Sequence, residues 1–178
     1  ALHRADVGVL VLDAAEGIVR QDERIAGEIE SAGKGIVIAA NKWDLIQEAM
    51  PAPEEATEGQ KRRAEKTRRM DFERILRYRM PFLDYAPLQF TSAVTGERLE
   101  ELLQAAALVA EQFNRRVSTG EVNRVIQRAL MTHHPPPRGS RVLKVYYATQ
   151  ISTRPPTFVL KVNNPKLCHL SLIHISEP

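Results

Sequence analysis

The residues with the clearest chemical potential are Asn41, Lys42, Trp43 and Asp44, which come directly after the apolar run of residues 35–40. A β-branched apolar run of this length predicts a buried parallel strand. Open α/β sheets bind their ligands where such strands end. An amide, an ammonium and a carboxylate at this point therefore predict a site that selects its ligand by polar complementarity.

The tetrapeptide fits the N-K-x-D pattern of guanine-nucleotide-binding proteins. By that resemblance, Asp44 accepts hydrogen bonds from the ring N–H and the exocyclic amine of guanine. Adenine lacks that pair of donors, and such a site rejects the wrong base by roughly 10⁴–10⁵. Asn41 would hold the base and a neighbouring loop, and Lys42 would cover the base or the ribose. The alternative, which the tetrapeptide alone leaves open, is that these residues only cap a helix.

A second signal follows about fifty residues later, where a short strand at Leu88–Phe90 leads into Thr91, Ser92 and Ala93. A helix is predicted from about Glu97. In the guanine-nucleotide fold, the backbone N–H groups of a Ser-Ala turn at this place reach the guanine oxygen. Small residues suit that role because they let the backbone approach a ligand closely. Ser92 and Ala93 therefore complete the predicted guanine site.

The order of predicted elements explains how these residues would be brought together. Residues 7–13 form an apolar strand predicted to be buried on both faces. The helix of residues 21–32 places Ile25 and Ile29 toward the sheet, and Gly33 ends it. Repeated strand–helix–strand order predicts a parallel sheet and an α/β fold.

A strongly charged helix is predicted at residues 60–80, after a mobile loop at residues 46–58. Phe72, Ile75 and Leu76 form its apolar stripe. The helix carries a cluster of cationic residues, which either contact RNA or are simply solvated: Lys61, Arg62, Arg63, Lys66, Arg68 and Arg69. A further helix runs to about Gln112.

Charge divides the chain near Phe113 and predicts a second domain. Residues 1–112 carry 15 Lys and Arg against 20 Asp and Glu, whereas residues 113–178 carry 10 against 2. We therefore expect domains at residues 1–113 and 114–167, followed by an atypical tail at residues 168–178. The second domain reads as a helix capped by Ser118 or Thr119 and two strands, at residues 142–150 and 157–162. Its basic character favours a polyanion or a solvated surface.

Several classes of protein are disfavoured by composition. Hydrophobic residues make up 43% of the chain and charged residues 26%, which is typical of globular proteins. No apolar run approaches the ~20 residues that a membrane helix needs. Cys168 is the single cysteine, so no disulfide can form within the chain, and we expect the protein in a reducing cytoplasm. His133 and His134 are adjacent, which does not suit two ligands of one metal ion.

Five longer stretches resemble the Der (EngA) family of bacterial GTPases: RADVGVLVLDAAEGIVRQDERIAG, NKWDL, MPFLDYAPLQFTSAVTGERLEELL, NRRVSTGEVNRVIQRAL and YYATQISTRPPTFVLKVNNP. This family has two tandem GTPase domains and a C-terminal KH-like domain, and the match covers the second GTPase domain and the KH-like part. The resemblance implies GTP or GDP and Mg²⁺ as cofactors, GTP hydrolysis, and assembly of the large ribosomal subunit. It implies rRNA and the N-terminal GTPase domain as partners. It assigns guanine recognition to Asn41, Lys42, Trp43, Asp44, Ser92 and Ala93.

The sequence also departs from the family pattern. It contains no phosphate-binding loop and no D-x-x-G motif, which the family places ahead of the residue matching Ala1. We therefore expect a fragment without catalytic residues, whose Mg²⁺ ligands lie upstream. The KH-like part lacks the G-x-x-G loop that clamps RNA in ordinary KH modules. The alternative function is a non-catalytic RNA- or protein-binding module.

Overall fold

The structure is a computed structural model that describes residues 4–51, 55–132 and 141–167. It divides into two compact units, Ala1–Gln112 and Phe113–Pro178. The strands are β1 Val7–Asp13, β2 Gly35–Asn41, β3 Leu88–Phe90, β4 Val145–Thr153 and β5 Pro156–Val162. The α-helices are α1 Arg20–Ser31, α2 Trp43–Ala49, α3 Glu58–Arg79, α4 Leu99–Asn114 and α5 Thr119–Thr132.

The first unit contains a parallel sheet in the order β1-β2-β3, with helices between the strands. The register sets Asp13 opposite Asn41 and Ala40 opposite Phe90. The polar ends of the strands therefore meet at one edge of the sheet, and the predicted α/β fold with a parallel sheet is confirmed.

Burial differs between the two longer strands. Six consecutive residues of β2, from Gly35 to Ala40, are buried, as a central strand requires. In β1, Leu10 and Leu12 are buried but Val9 and Val11 are exposed. The prediction that β1 is buried on both faces is wrong: β1 is an edge strand of the sheet, and Val9 and Val11 are 41% and 57% exposed.

The helix α1 ends as the sequence predicts, at a left-handed Gly33 with φ +64°. The N–H of Gly33 donates to the carbonyl of Glu30, and the N–H of Lys34 donates to that of Ile29, which together form a Schellman motif. Ile29 is buried, as predicted, whereas Ile25 is exposed and the buried neighbour is Ala26.

Two predictions about the middle of the unit need correction. Residues 43–49 form the helix α2, so the predicted loop at residues 46–58 is wrong in its first part, and residues 52–54 lie outside the described residues. On α3, Leu76 is fully buried but Ile75 is about half exposed. The buried contacts continue instead to Met80, one helical turn after Leu76.

The second unit pairs β4 and β5 as an antiparallel hairpin. Asn123 of α5 joins the helix to this hairpin through two hydrogen bonds. Its Nδ2 donates to the carbonyl of Ala148 at 2.8 Å, and its Oδ1 accepts from the N–H of Ala148 at 2.9 Å. Gln150 likewise accepts from the N–H of Val117 at 2.6 Å. These bonds satisfy buried polar groups that would otherwise be costly.

Some predictions fall outside the described residues, namely those for His133, His134 and the tail at residues 168–178. Every helix in the described part of the chain is too short or too polar to span a lipid bilayer.

Candidate functional site

The candidate site is assembled where the three parallel strands end. The N–H of Thr91, directly after β3, donates to the carbonyl of Ala40 at 2.9 Å. The N–H of Trp43 donates back to the carbonyl of Thr91 at 3.0 Å. These two bonds continue the sheet pairing past the strands, so the loop after β2 and the loop after β3 are held side by side.

Asn41 connects the two loops through its side chain. Its Oδ1 accepts a hydrogen bond from the backbone N–H of Ala93 at 3.0 Å. The N-cap of α2 is Lys42, which makes no side-chain cap hydrogen bond. Asn41 therefore ties the second loop to the first. Its side chain binds the second loop and does not cap α2.

Lys42 adopts a left-handed backbone conformation, with φ +62° and ψ +33°. Such a conformation is costly for a residue with a Cβ atom and concentrates at functional sites. Its Nζ lies 2.6 Å from Oδ2 of Asp13, at the end of β1. This contact lowers the pKa of Asp13 below 3.8 and raises the pKa of Lys42 above 10.5.

Asp13 was not among the residues that the sequence singled out. Its Oδ1 also accepts from the N–H groups of Ala15 and Glu16, at 3.0 and 3.2 Å, which fixes the carboxylate. The available signal was its place as the polar end of an apolar strand, in register with Asn41.

Asp44 has an unusual environment. Its Oδ1 is buried and has no hydrogen-bond partner among the described residues. A buried acceptor without a donor costs ~1–3 kcal/mol, and more when it is charged. This oxygen is therefore a hydrogen-bond acceptor that no described donor satisfies.

The Ser-Ala turn lies where the sequence predicts, but its N–H groups already have acceptors. The N–H of Ser92 donates to the carbonyl of Glu97 at 3.2 Å, while the N–H of Ala93 donates to Asn41. Ser92 is fully buried and Ala93 is exposed. A base that accepted a hydrogen bond from the Ala93 N–H would have to replace Asn41 Oδ1 as the acceptor. Ala93 is exposed enough for such an exchange, whereas Ser92 is buried.

Trp43 does not line the site with the other predicted residues. Its side chain is 1% exposed and packs against Phe72 and Phe90, with ring centroids 5.7 and 4.4 Å away. Its Nε1 donates to Oε1 of Glu65 at 2.7 Å. The Trp43 ring is therefore part of the core beneath the site, and the assignment of Trp43 to the guanine motif stays a prediction.

Two segments of the chain match the models of known sequence families. Residues 1–112 match the model of the elongation factor Tu GTP-binding domain. Residues 116–174 match the KH-domain-like C-terminal domain of EngA bacterial GTPase enzymes, seven residues beyond Leu167, where the resemblance seen in the sequence ends. The first unit is thus a GTP-binding domain by class.

Curated relatives specify the family further. GTPase Der of Caldanaerobacter subterraneus subsp. tengcongensis is 38% identical over 177 residues, covering 99% of this chain and 37% of the relative. GTPase Der of Halothermothrix orenii is 40% identical over 171 residues, covering 96% and 35%. GTPase Der of Synechococcus sp. strain CC9902 is 45% identical over 168 residues, covering 94% and 33%. The chain belongs to the Der (EngA) family of GTPases, and it spans about a third of the length of these relatives.

Proposed function

We propose that this chain is the guanine-recognition part of a Der-type GTPase that binds GTP and GDP. The observation that carries the proposal is the buried Oδ1 of Asp44, which has no donor among the described residues. Guanine presents two neighbouring N–H donors, on N1 and on the exocyclic amine, and a carboxylate can accept both. Binding guanine would therefore remove the cost of that orphaned acceptor.

The neighbouring groups suit the rest of the base. The N–H of Ala93 is the exposed donor that can turn to the guanine O6, and Asn41 beside it is an amide that can then bond the ring edge. Lys42 is half exposed, and its stem can cover the base while Asp13 holds its ammonium. Each group therefore has a distinct role around a flat, polar ring.

The phosphates and Mg²⁺ belong to another part of the proposed GTPase. The 178 residues contain no G-x-x-x-x-G-K-[ST] loop, and none of them is assigned to Mg²⁺. When bound, Mg²⁺ would neutralise charge on the phosphates during hydrolysis. The role of this chain's residues is to bind and select the base, and we assign it no catalytic residue.

We further propose that the whole protein acts in the cytoplasm in assembly of the large ribosomal subunit, with rRNA as a partner. Supporting this are the basic second unit and an exposed cationic face on α3, formed by Arg62, Arg63 and Lys66. These three side chains make no ion pair within the part of the chain that is described. Phosphate groups of RNA are natural counterions for such a face.

The base assignment is tested by Asp44→Asn. The 178-residue chain, labelled with ¹⁵N, is titrated with GMP, XMP and AMP while the amide signals of Ala93 and its neighbours are followed by NMR. We expect wild type to prefer GMP. In the variant the new side-chain amide donates to the C2 carbonyl of xanthine, so the preference should move from GMP toward XMP.

The matched control is Asp71→Asn, which makes the same chemical change on the exposed surface of α3, where Asp71 pairs with Arg74. This control should keep the GMP preference. An unchanged GMP-over-XMP preference in Asp44→Asn would remove Asp44 from the base site. Binding that ignores the base but weakens with salt would favour the RNA-binding module instead.

A further inference from the structure

The inner face of α3 contacts the base loops through charged side chains that no sequence motif of the site includes. Glu65 lies at its centre, with its side chain 20% exposed. Its Oε1 accepts from Nε1 of Trp43 at 2.7 Å and from Nε of Arg69 at 2.7 Å. Its Oε2 accepts from Nη2 of Arg68 at 3.0 Å. One carboxylate therefore gathers three donors, two of which are charged.

Arg68 extends this network to the far end of α2. Its Nη1 donates to the carbonyl of Met50, the C-cap residue of α2, at 2.6 Å. Trp43 is the first residue of the same helix. Glu65 and Arg68 thus hold both ends of α2, the short helix that carries Asp44.

Arg69 extends the network to the second base loop. Its guanidinium carbon lies 5.4 Å from the ring centroid of Phe90, a distance at which a cation and an aromatic face attract. Its Nη2 lies 3.9 Å from Oε1 of Glu97. The carbonyl of Glu97 accepts from the N–H of Ser92 at 3.2 Å. The same carboxylate of Glu65 is therefore linked to the Ser-Ala turn.

We propose that Glu65, with Arg68 and Arg69, is a positioning network that sets the distance between Asp44 and the Ser-Ala turn and so determines guanine selectivity. This inference rests on the proposed function, since it assumes that these loops read the base. None of the three residues touches the base; they act through Trp43, Met50 and Phe90.

The physical reason is that base selection depends on simultaneous hydrogen bonds. Asp44 must meet two N–H groups on one edge of guanine while the Ala93 N–H meets the oxygen on the neighbouring edge. A shift of one loop that breaks one of these hydrogen bonds should cost roughly 3- to 10-fold in affinity. Glu65 contacts Trp43 directly and is linked to the second loop through Arg69, so its loss should act on selectivity as well as on stability.

The test compares three variants by the ratio of GMP to AMP affinity, measured by ¹⁵N NMR titration of the 178-residue chain. Glu65→Ala removes the acceptor and the charge. Glu65→Gln keeps an oxygen for Trp43 Nε1 but loses the charge that holds Arg68 and Arg69. We expect the ratio to fall by about 10-fold in Glu65→Ala and by less in Glu65→Gln.

The matched control is Glu73→Ala on the same helix, where Glu73 pairs with Arg77 at 3.2 Å and, among the described residues, makes no hydrogen bond or ion pair with the base loops. We expect this control to keep the wild-type ratio. The indole N–H signal of Trp43 should shift in both Glu65 variants and stay in place in Glu73→Ala. If Glu65→Ala does not fold, Glu65→Gln alone decides the question.

Three results would overturn the inference. The first is a wild-type ratio in both Glu65 variants, which rejects the positioning network and leaves the base site intact. The second is an equal fall in the Glu65 and Glu73 variants, which shows only a general loss of stability. The third is a wild-type chain without any preference for GMP over AMP, which rejects the proposed function together with this inference.

Discussion

The inner and outer faces of α3 carry similar charges but differ in what surrounds them. On the inner face, Arg68 and Arg69 are each 18% exposed and share the carboxylate of Glu65. The exposed cations near the start of α3, which we call its outer face, are Arg62, Arg63 and Lys66, and they form no ion pair among the described residues. A cationic side chain that is partly buried and paired is part of the structure, whereas an exposed one is available to a partner.

This difference shows why a count of charges cannot assign a role. Within the range of residues 61–69 the sequence contains six cations and one acid, and this count does not show which cations the acid pairs with. A charge that is largely removed from water must be compensated by an ion-pair partner. If one partner is removed, the other remains as a partly buried charge without compensation, which destabilises the fold. An exposed charge loses little when its neighbours change.

The largest effect is expected where the inner face meets the core. Trp43→Ala should lower the free energy of unfolding by ~3–5 kcal/mol, because it leaves a cavity beside Phe72 and Phe90. The measurement is the midpoint and slope of urea unfolding. The control on the outer face is Met70→Ala, since Met70 is 59% exposed, and it should stay within ~0.5 kcal/mol of wild type. Similar losses in both variants would contradict the difference in burial between Trp43, which packs under α3, and Met70, which is exposed on it.

An arginine on each face gives a sharper comparison, because the chemical change is the same. Arg69→Ala should cost ~1–3 kcal/mol, since it removes a donor from Glu65 and the cation over Phe90. Arg63→Ala should stay within ~0.5 kcal/mol of wild type. Both are measured by urea unfolding under one set of conditions. Equal losses of unfolding free energy in the two variants would show that the contacts of Arg69 with Glu65 and Phe90 add no stability beyond what any exposed arginine contributes to a helix.

Sequence predicted the arrangement of the sheet and its polar ends well, for a physical reason. The residues 35–40 have no polar side chain, so only a central, buried strand suits them, and residues that follow such a strand must lie at the sheet edge. Asn41 and Ala93 were therefore placed on adjoining loops, and the structure joins them directly. Whether they bind guanine stays a prediction.

The misses share a different cause, since they depend on which neighbour covers a residue. Ile75 and Leu76 look equivalent in sequence, yet only Leu76 meets the core. Glu65 carried one usable signal, its spacing of three and four residues from Arg68 and Arg69, which places all three on one helical face.

A smaller effect is expected when Glu65 is protonated. Burial alone would raise its pKa, but the hydrogen bonds from Trp43, Arg68 and Arg69 outweigh burial and lower the pKa below the usual 4.5. A lowered pKa adds stability that is complete above pH 4.5 and is lost as the pH falls through the folded-state value. Glu65→Gln lacks this titration. Unfolding free energies of the two proteins should therefore converge as the pH falls below 4.5, and a constant difference would contradict the shift.

The smallest effect on stability is expected from the outer face, where Arg62, Arg63 and Lys66 are replaced together by Gln. The unfolding free energy should stay within ~0.5 kcal/mol of wild type, because no ion pair among the described residues is broken. Affinity for a single-stranded RNA should fall, and the slope of log K against log salt should become shallower by about 2, as three phosphate contacts are lost at ~0.7 each. The control replaces three other exposed arginines of the same unit, Arg4, Arg20 and Arg24, so the net charge changes equally. An equal change in slope for both triple variants would show that RNA affinity depends only on the net charge of the protein. The outer face of α3 would then not be a specific RNA-binding surface.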